Sequence, residues 1–205
     1  MIAWYKRHGR RFSFRETKDP YQVLVTEIML RKTTARQVEG VFASFFERFP
    51  TVESLATADP RAVQEVIRPL GIRGRAVDLV RIARKIAMEH SGTVPADFDE
   101  LTELPGVGEY VSGCVLTFCY GKPYPLIDSN VARVLSRLYG ISKTSQRAAK
   151  KKLRELYSQL APQGQEREFH YALLDLAAIL CRPRIPFCAS CPLNTACCAY
   201  LSQKL

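Results

Sequence analysis

The sequence predicts an all-α protein, and three observations carry that expectation. Apolar residues recur at helical spacing, as in Val23, Leu24, Ile28 and Met29. Helix-start signals stand just ahead of such runs, at Asp19-Pro20, Thr51 and Asp59-Pro60. No stretch shows convincing strand-like alternation, and there is no internal repeat or low-complexity segment.

Taken in order, Asp19 caps a helix with Pro20 at its first position. Arg31-Lys-Thr-Thr34 interrupts its apolar face with polar residues and can cap a second helix. Val38, Val41, Phe42, Phe45, Phe46 and Phe49 make that helix amphipathic, and their spacing assigns the aromatics to a core rather than a base-stacking platform. Thr51 and Asp59 begin two short helices. Leu70-Gly-Ile-Arg-Gly-Arg75 reads as a loop. Ala76, Leu79, Val80, Ala83, Ile86 and Ala87 form the next helix face, ending near Gly92. Asp97–Glu103 is a short helix, and further helices follow at roughly 128–139, 146–161 and 166–180.

Between these lies Leu104-Pro-Gly-Val-Gly-Glu-Tyr-Val-Ser-Gly-Cys-Val115. Pro105 fixes φ, while Gly106 and Gly108, flanking Val107, permit turn geometry that other residues resist. After Gly108 the backbone turns helical, leaving N–H groups without intrahelical partners. Those donors and the positive end of the helix dipole suit a phosphate. The unit is a helix-hairpin-helix over 97–120, although Gly-Val-Gly alone would fit an ordinary αα-corner.

The chain has 205 residues, room for one domain or two small ones with a real core. Its 30 Lys and Arg against 20 Asp and Glu give a net charge of +10, which fits a polyanion partner. Charge alone fits a merely soluble basic protein too. No apolar run can cross a bilayer, and the opening Met1-Ile-Ala-Trp-Tyr-Lys-Arg-His-Gly-Arg10 is no signal peptide. An intracellular protein is expected, in cytoplasm or nucleoid if prokaryotic. In that setting seven cysteines point to metal or free thiols rather than disulfides.

Cys181, Cys188, Cys191 and Cys197 are spaced C-x6-C-x2-C-x5-C. Four thiolates can hold zinc or a [4Fe–4S] cube, and paired C-x2-C motifs would favour zinc. Cys198 is an alternative fourth ligand. Cys114 and Cys119, on the helix after the hairpin, read as small core residues.

The hairpin stretch, with Asp128 and Asn130 beyond it and the four cysteines at the end, resembles the endonuclease III / adenine glycosylase superfamily of DNA base-excision enzymes. The likeness runs from about Trp4 to Cys197. It implies two helical lobes, a bundle over 17–122 and a cluster domain made of 1–16 and 123–205. DNA would lie across the cleft between them, with one nucleotide turned out into a pocket. The family spacing selects Cys197 over Cys198 and implies a [4Fe–4S] cluster that fixes its loop and takes no part in base removal. Arg182 and Arg184 in that loop are then phosphate contacts, or simply a solvated surface.

The resemblance also implies roles at the reacting centre. Asp128, eighteen residues after Tyr110, matches an essential aspartate. Such a carboxylate stabilises the positive charge that builds on the sugar as the N-glycosidic bond breaks. It can equally cap its helix. Tyr110 stands where bifunctional relatives carry a lysine that forms a Schiff base; a phenol cannot, so a monofunctional enzyme that leaves an abasic site is expected. Glu27 matches a glutamate that protonates a departing purine or, with thymine, accepts from N3–H. Arg31-Lys32 replaces the two glutamines usual in adenine glycosylases, as in thymine–DNA mismatch glycosylases, which also share the run Trp4–Arg11. Arg31 is expected to enter the space left by the flipped base or touch the opposite guanine, and Ile72 to be the apolar wedge. The chain stops soon after the cysteines, where adenine glycosylases carry a further 8-oxoguanine-reading domain.

The expected function is removal of thymine and uracil opposite guanine from double-stranded DNA, by a monomer away from membranes. The alternatives are an adenine glycosylase acting opposite guanine or 8-oxoguanine, and a non-catalytic DNA-structure-binding protein.

Overall fold

The computed structural model describes residues 1–71, 74–141 and 146–202. The chain runs through α1 (Ile2–His8), α2 (Pro20–Leu30), α3 (Ala35–Arg48), α4 (Val52–Ala56), α5 (Pro60–Ile67) and α6 (Arg75–Glu89). It continues through α7 (Phe98–Thr102), α8 (Glu109–Cys119), α9 (Ser129–Tyr139), α10 (Gln146–Leu160), α11 (Glu166–Ile179) and α12 (Cys198–Leu201). No strand occurs among the described residues, and no helix there is long and apolar enough to cross a membrane.

Among the described residues, side-chain caps set six of the helix starts. Asp19 accepts from the Gln22 amide at 3.0 Å, and Asp59 from the Arg61 amide at 2.8 Å. Thr34 and Thr51 form capping boxes with Gln37 and Ser54. Each cap contributes about 1 kcal/mol. The unforeseen helices are α1 and α12, which have no side-chain cap and only seven and four residues.

The chain divides into two compact units, one of Arg11–Lys122 and one of Met1–Arg10 with Pro123–Leu205. In the first, α2 is enclosed by α3, α6 and α8. Its residues Val23, Leu24, Val25, Ile28 and Met29 are all buried, so the helix is apolar nearly all round. Cutting Leu24 or Met29 to alanine would cost about 2–5 kcal/mol. The aromatic residues of α3 belong to this core. Phe42 and Phe46 rings lie 4.9 Å apart, and Tyr21 meets Phe46 edge-on at 5.6 Å. The Ser13 amide donates to the Glu39 carboxylate, so residues 11–16 sit with this unit, whereas the sequence boundary had put 1–16 with the C-terminal part.

In the second unit α9 packs against α10, α11 and α12, and α1 lies on α11. Asp175 of α11, fully buried, ties down the N-terminal segment. It accepts from Arg10 Nη2 at 2.7 Å, Nε at 2.8 Å and the Arg10 amide at 2.6 Å. Removing Arg10's side chain would take the ion pair from that buried carboxylate and leave the main-chain amide bond in place.

Candidate active site and nucleic-acid interface

In the unit of Arg11–Lys122 the hairpin joins α7 to α8. Leu104 and Val107 are buried and anchor it, while Gly106 and Gly108 are exposed. The Val107 amide closes the turn on the Leu104 carbonyl at 3.0 Å. Gly106 has φ +77°, the left-handed region that a side chain resists. The Gly106 and Gly108 amides have no hydrogen-bond partner among the described residues. Two exposed donors at the mouth of an eleven-residue helix make an anion seat.

Two other segments are tied to this seat. Arg31, which ends α2, donates from Nη1 to the Gly106 carbonyl at 2.9 Å. The sequence gives Arg31 the space left by the flipped base or the opposite guanine, and the structure adds this hydrogen bond to the hairpin. Arg75 Nη2 donates to the Arg31 carbonyl. Gln37 Nε2 reaches the Pro69 carbonyl at 3.3 Å. The α2–α3 corner, Pro69, Arg75 and the hairpin are thus joined by side chains. Lys32 lies exposed at the corner. Ile72 lies outside the described residues. Glu27, only 9% exposed, and half-buried Tyr110 sit on α2 and α8, which pack together.

In the other unit Asp128 caps α9. Its Oδ1 accepts from the Val131 amide at 2.7 Å and its Oδ2 from Asn130 Nδ2 at 2.9 Å. Both oxygens are therefore fixed in direction. Asn130 Oδ1 in turn accepts from Arg133 Nη2 at 3.1 Å, and Arg133 Nε donates to the Cys181 carbonyl at 3.0 Å. One chain of side chains runs from Asp128 to the start of the cysteine loop. Arg137, one turn on, donates to the Arg182 and Pro183 carbonyls, both at 2.7 Å, and lies 3.4 Å from Cys181 Sγ.

Cys181, Cys188, Cys191 and Cys197 line one cavity of about 160 Å³. Cys198 is not among its lining residues, and Cys114 is buried in α8. Burial, and then the three neighbouring cysteines, push the Cys191 thiol above its usual range. Among the described residues, no three His, Cys, Asp or Glu side chains converge as a metal-ion site. The cavity is several times the ~30 Å³ that a water occupies in the liquid, so it is roomy for one ion and suits a larger group. In the loop Arg182, Arg184, Ile185 and Phe187 are exposed, with the Arg182 guanidinium 4.7 Å from the Phe187 ring centre.

The sequence reading passed over Arg75, Arg133 and Arg137. Asn130, Arg133 and Arg137 fall at i, i+3 and i+7, one face of α9, and that spacing was a usable signal. Nothing local marked Arg75 for burial.

A thymine-DNA glycosylase of Aeropyrum pernix is 40% identical over 98% of this chain and 92% of its own. An adenine DNA glycosylase of Mycobacterium tuberculosis is 35% identical over 95% of this chain and 64% of its own. A solved thermostable thymine-DNA glycosylase superposes with a TM-score of 0.91 at 33% identity, over 98% of this chain and 93% of that one. The model of the HhH-GPD superfamily base excision DNA repair proteins matches residues 25–159, the stretch from α2 through the hairpin and Asp128 to α10, and the chain belongs to that superfamily.

Proposed function

We propose that the protein is a monofunctional DNA glycosylase that hydrolyses the N-glycosidic bond of thymine and uracil mispaired with guanine. The observation that carries this reading is the 40% identity to a thymine-DNA glycosylase across nearly the full length of both chains.

Asp128 is the electrostatic catalyst. With its oxygens held by Val131 and Asn130, its carboxylate stabilises the oxocarbenium-like sugar and orients water. Glu27 accepts from the thymine N3–H. Tyr110 occupies the nucleophile position without an amine, so the product is an abasic site on an unbroken strand. Pro105, Gly106, Val107 and Gly108 grip a phosphate, with Arg31 beside them. Lys32, Arg182 and Arg184 add further phosphate contacts, and Ile72 is the wedge. Phosphate contacts fix register and grip and carry no sequence information. A mismatched pair lowers the cost of flipping, which favours T·G over T·A.

The four cavity cysteines fit a [4Fe–4S] cluster. Four thiolates crowded together repel one another, and the positive charge of the irons relieves that repulsion. When bound, the cluster sets the shape of the loop bearing Arg182 and Arg184, and base removal is left to Asp128.

Duplexes bearing T·G, U·G, A·G and A·8-oxoG, each assayed with and without alkali, test the reading. Thymine and uracil release with strand breaks only after alkali is expected, and T·A should stay whole. No adduct should be trapped by borohydride. Adenine release with T·G intact would replace this reading by the adenine glycosylase. Binding without any turnover would leave a DNA-structure-binding protein.

A further inference from the structure

The corner between α2 and α3 holds a conformation its residue types disfavour. Lys32 has φ +56°, the left-handed region that a side chain resists. The carbonyl of Arg31, in the peptide leading into Lys32, accepts from Arg75 Nη2 across 44 residues of sequence. Arg75 opens α6 and is only 5% exposed. Its Nη1 is buried without a hydrogen-bond partner among the described residues. Burial first, then the charge of Arg31, push its pKa down. A buried cation beside a second cation, with a donor unmet, lowers stability. Strain and unmet donors persist where a geometry is needed. Glycine at position 32 would remove the backbone strain, and a neutral residue at 75 the charge crowding; the chain has neither.

We propose that Arg75 is a positioning residue for DNA binding. It locks the Arg31–Lys32 peptide, keeping Lys32 turned outward and Arg31 seated on Gly106, so that corner and hairpin meet the phosphodiester backbone as one cationic edge. An edge ordered in advance loses less freedom on binding than a loose one. The inference rests on the reading of the protein as a DNA glycosylase.

A double-mutant cycle tests it, with affinities measured on a matched duplex and a T·G duplex. The proteins are wild type, Arg75→Lys, Lys32→Gly and the double variant. Lysine keeps a donor for the carbonyl and loses the planar fork. Glycine accepts positive φ freely and loses the cation. Each single change should weaken both duplexes alike, by about threefold, and make binding less salt-dependent. The double variant should be no weaker than the weaker single, because both changes act on the one Arg31–Lys32 peptide that Arg75 locks. The half-saturating duplex concentration should rise more than the saturated single-turnover rate falls. Losses that multiply would overturn the proposal. So would unchanged affinity with a lowered melting temperature, which would leave Arg75 a structural cap of α2. Since matched-duplex binding needs no turnover, a wild type that releases no thymine would defeat the glycosylase reading and still let the cycle decide this one.

Discussion

The hairpin and the cysteine loop are both held by arginines that donate to backbone carbonyls, but they differ in what else holds them. The hairpin has a glycine turn and two buried anchors, Leu104 and Val107, at 1% and 5% exposure. Arg31 adds to a structure that closes by itself. From Cys188 to Leu201 the loop has short helical turns and no buried residue. Its beginning is tied by Arg133 and Arg137 to the Cys181, Arg182 and Pro183 carbonyls. Elsewhere its cysteines face a cavity rather than packed side chains. An apolar anchor gains stability from leaving water, whereas a carbonyl brace only fixes direction. The hairpin is therefore built to keep its shape alone, and under the proposed function the loop takes its shape around the cluster.

The largest expected effect separates chemistry from bracing. Asp128→Asn should slow base release by about 10³-fold, since the carboxylate acts on charge in the transition state. Asparagine caps a helix about as well as aspartate, so α9 and its arginines should stay in place. Iron content and duplex affinity should match the wild type. Single-turnover assays with an iron determination check both halves. Near-normal rates would move the catalytic role off Asp128.

The next effect falls on the loop alone. Protein purified without air should be brown and hold about four irons, the content of a Cys₄-bound cube. Cys191→Ser should lose that iron and expose amides of 181–201 to hydrogen exchange, while amides of 104–112 keep their protection. Equal loss of protection in both segments would break the contrast. Stoichiometric zinc without iron would reassign the cofactor.

The sequence made the helices legible because their boundaries are local chemistry. Asp19-Pro20, Thr34, Thr51 and Asp59-Pro60 all cap where they were expected to. The grouping of the four cysteines was legible from their spacing, and one cavity is lined by those four and not by Cys198. Arg75 was not legible: its partner is 44 residues away, and burial of a charge is a tertiary fact. Arg10 was visible only as part of a basic run, with nothing local to pair it with Asp175. Arg31 was visible as a site residue, but its direction depends on where the chain returns at Gly106.

That direction gives the smallest and most discriminating effect. A guanidinium that reads a guanine should lower T·G affinity alone when removed, since a base contact discriminates by about 1–3 kcal/mol. One seated on the hairpin carbonyl lies beside amides suited to a phosphate, and its loss should fall on every duplex alike. The structure favours the second outcome. Arg31→Ala should weaken T·G and matched DNA by a similar factor, about threefold, and lower the salt slope by about 1. Arg184→Ala, on the loop, should do the same in iron-loaded protein. The two should then part company once iron is removed. Without the cluster the loop no longer presents Arg184, so its substitution should cost nothing more. The hairpin keeps its shape, so Arg31→Ala should still cost its threefold. Salt titrations of the four proteins, with and without iron, decide this. A T·G-specific loss in Arg31→Ala would restore Arg31 as a base reader, and equal sensitivity of both arginines to iron would mean that the hairpin does not stand alone.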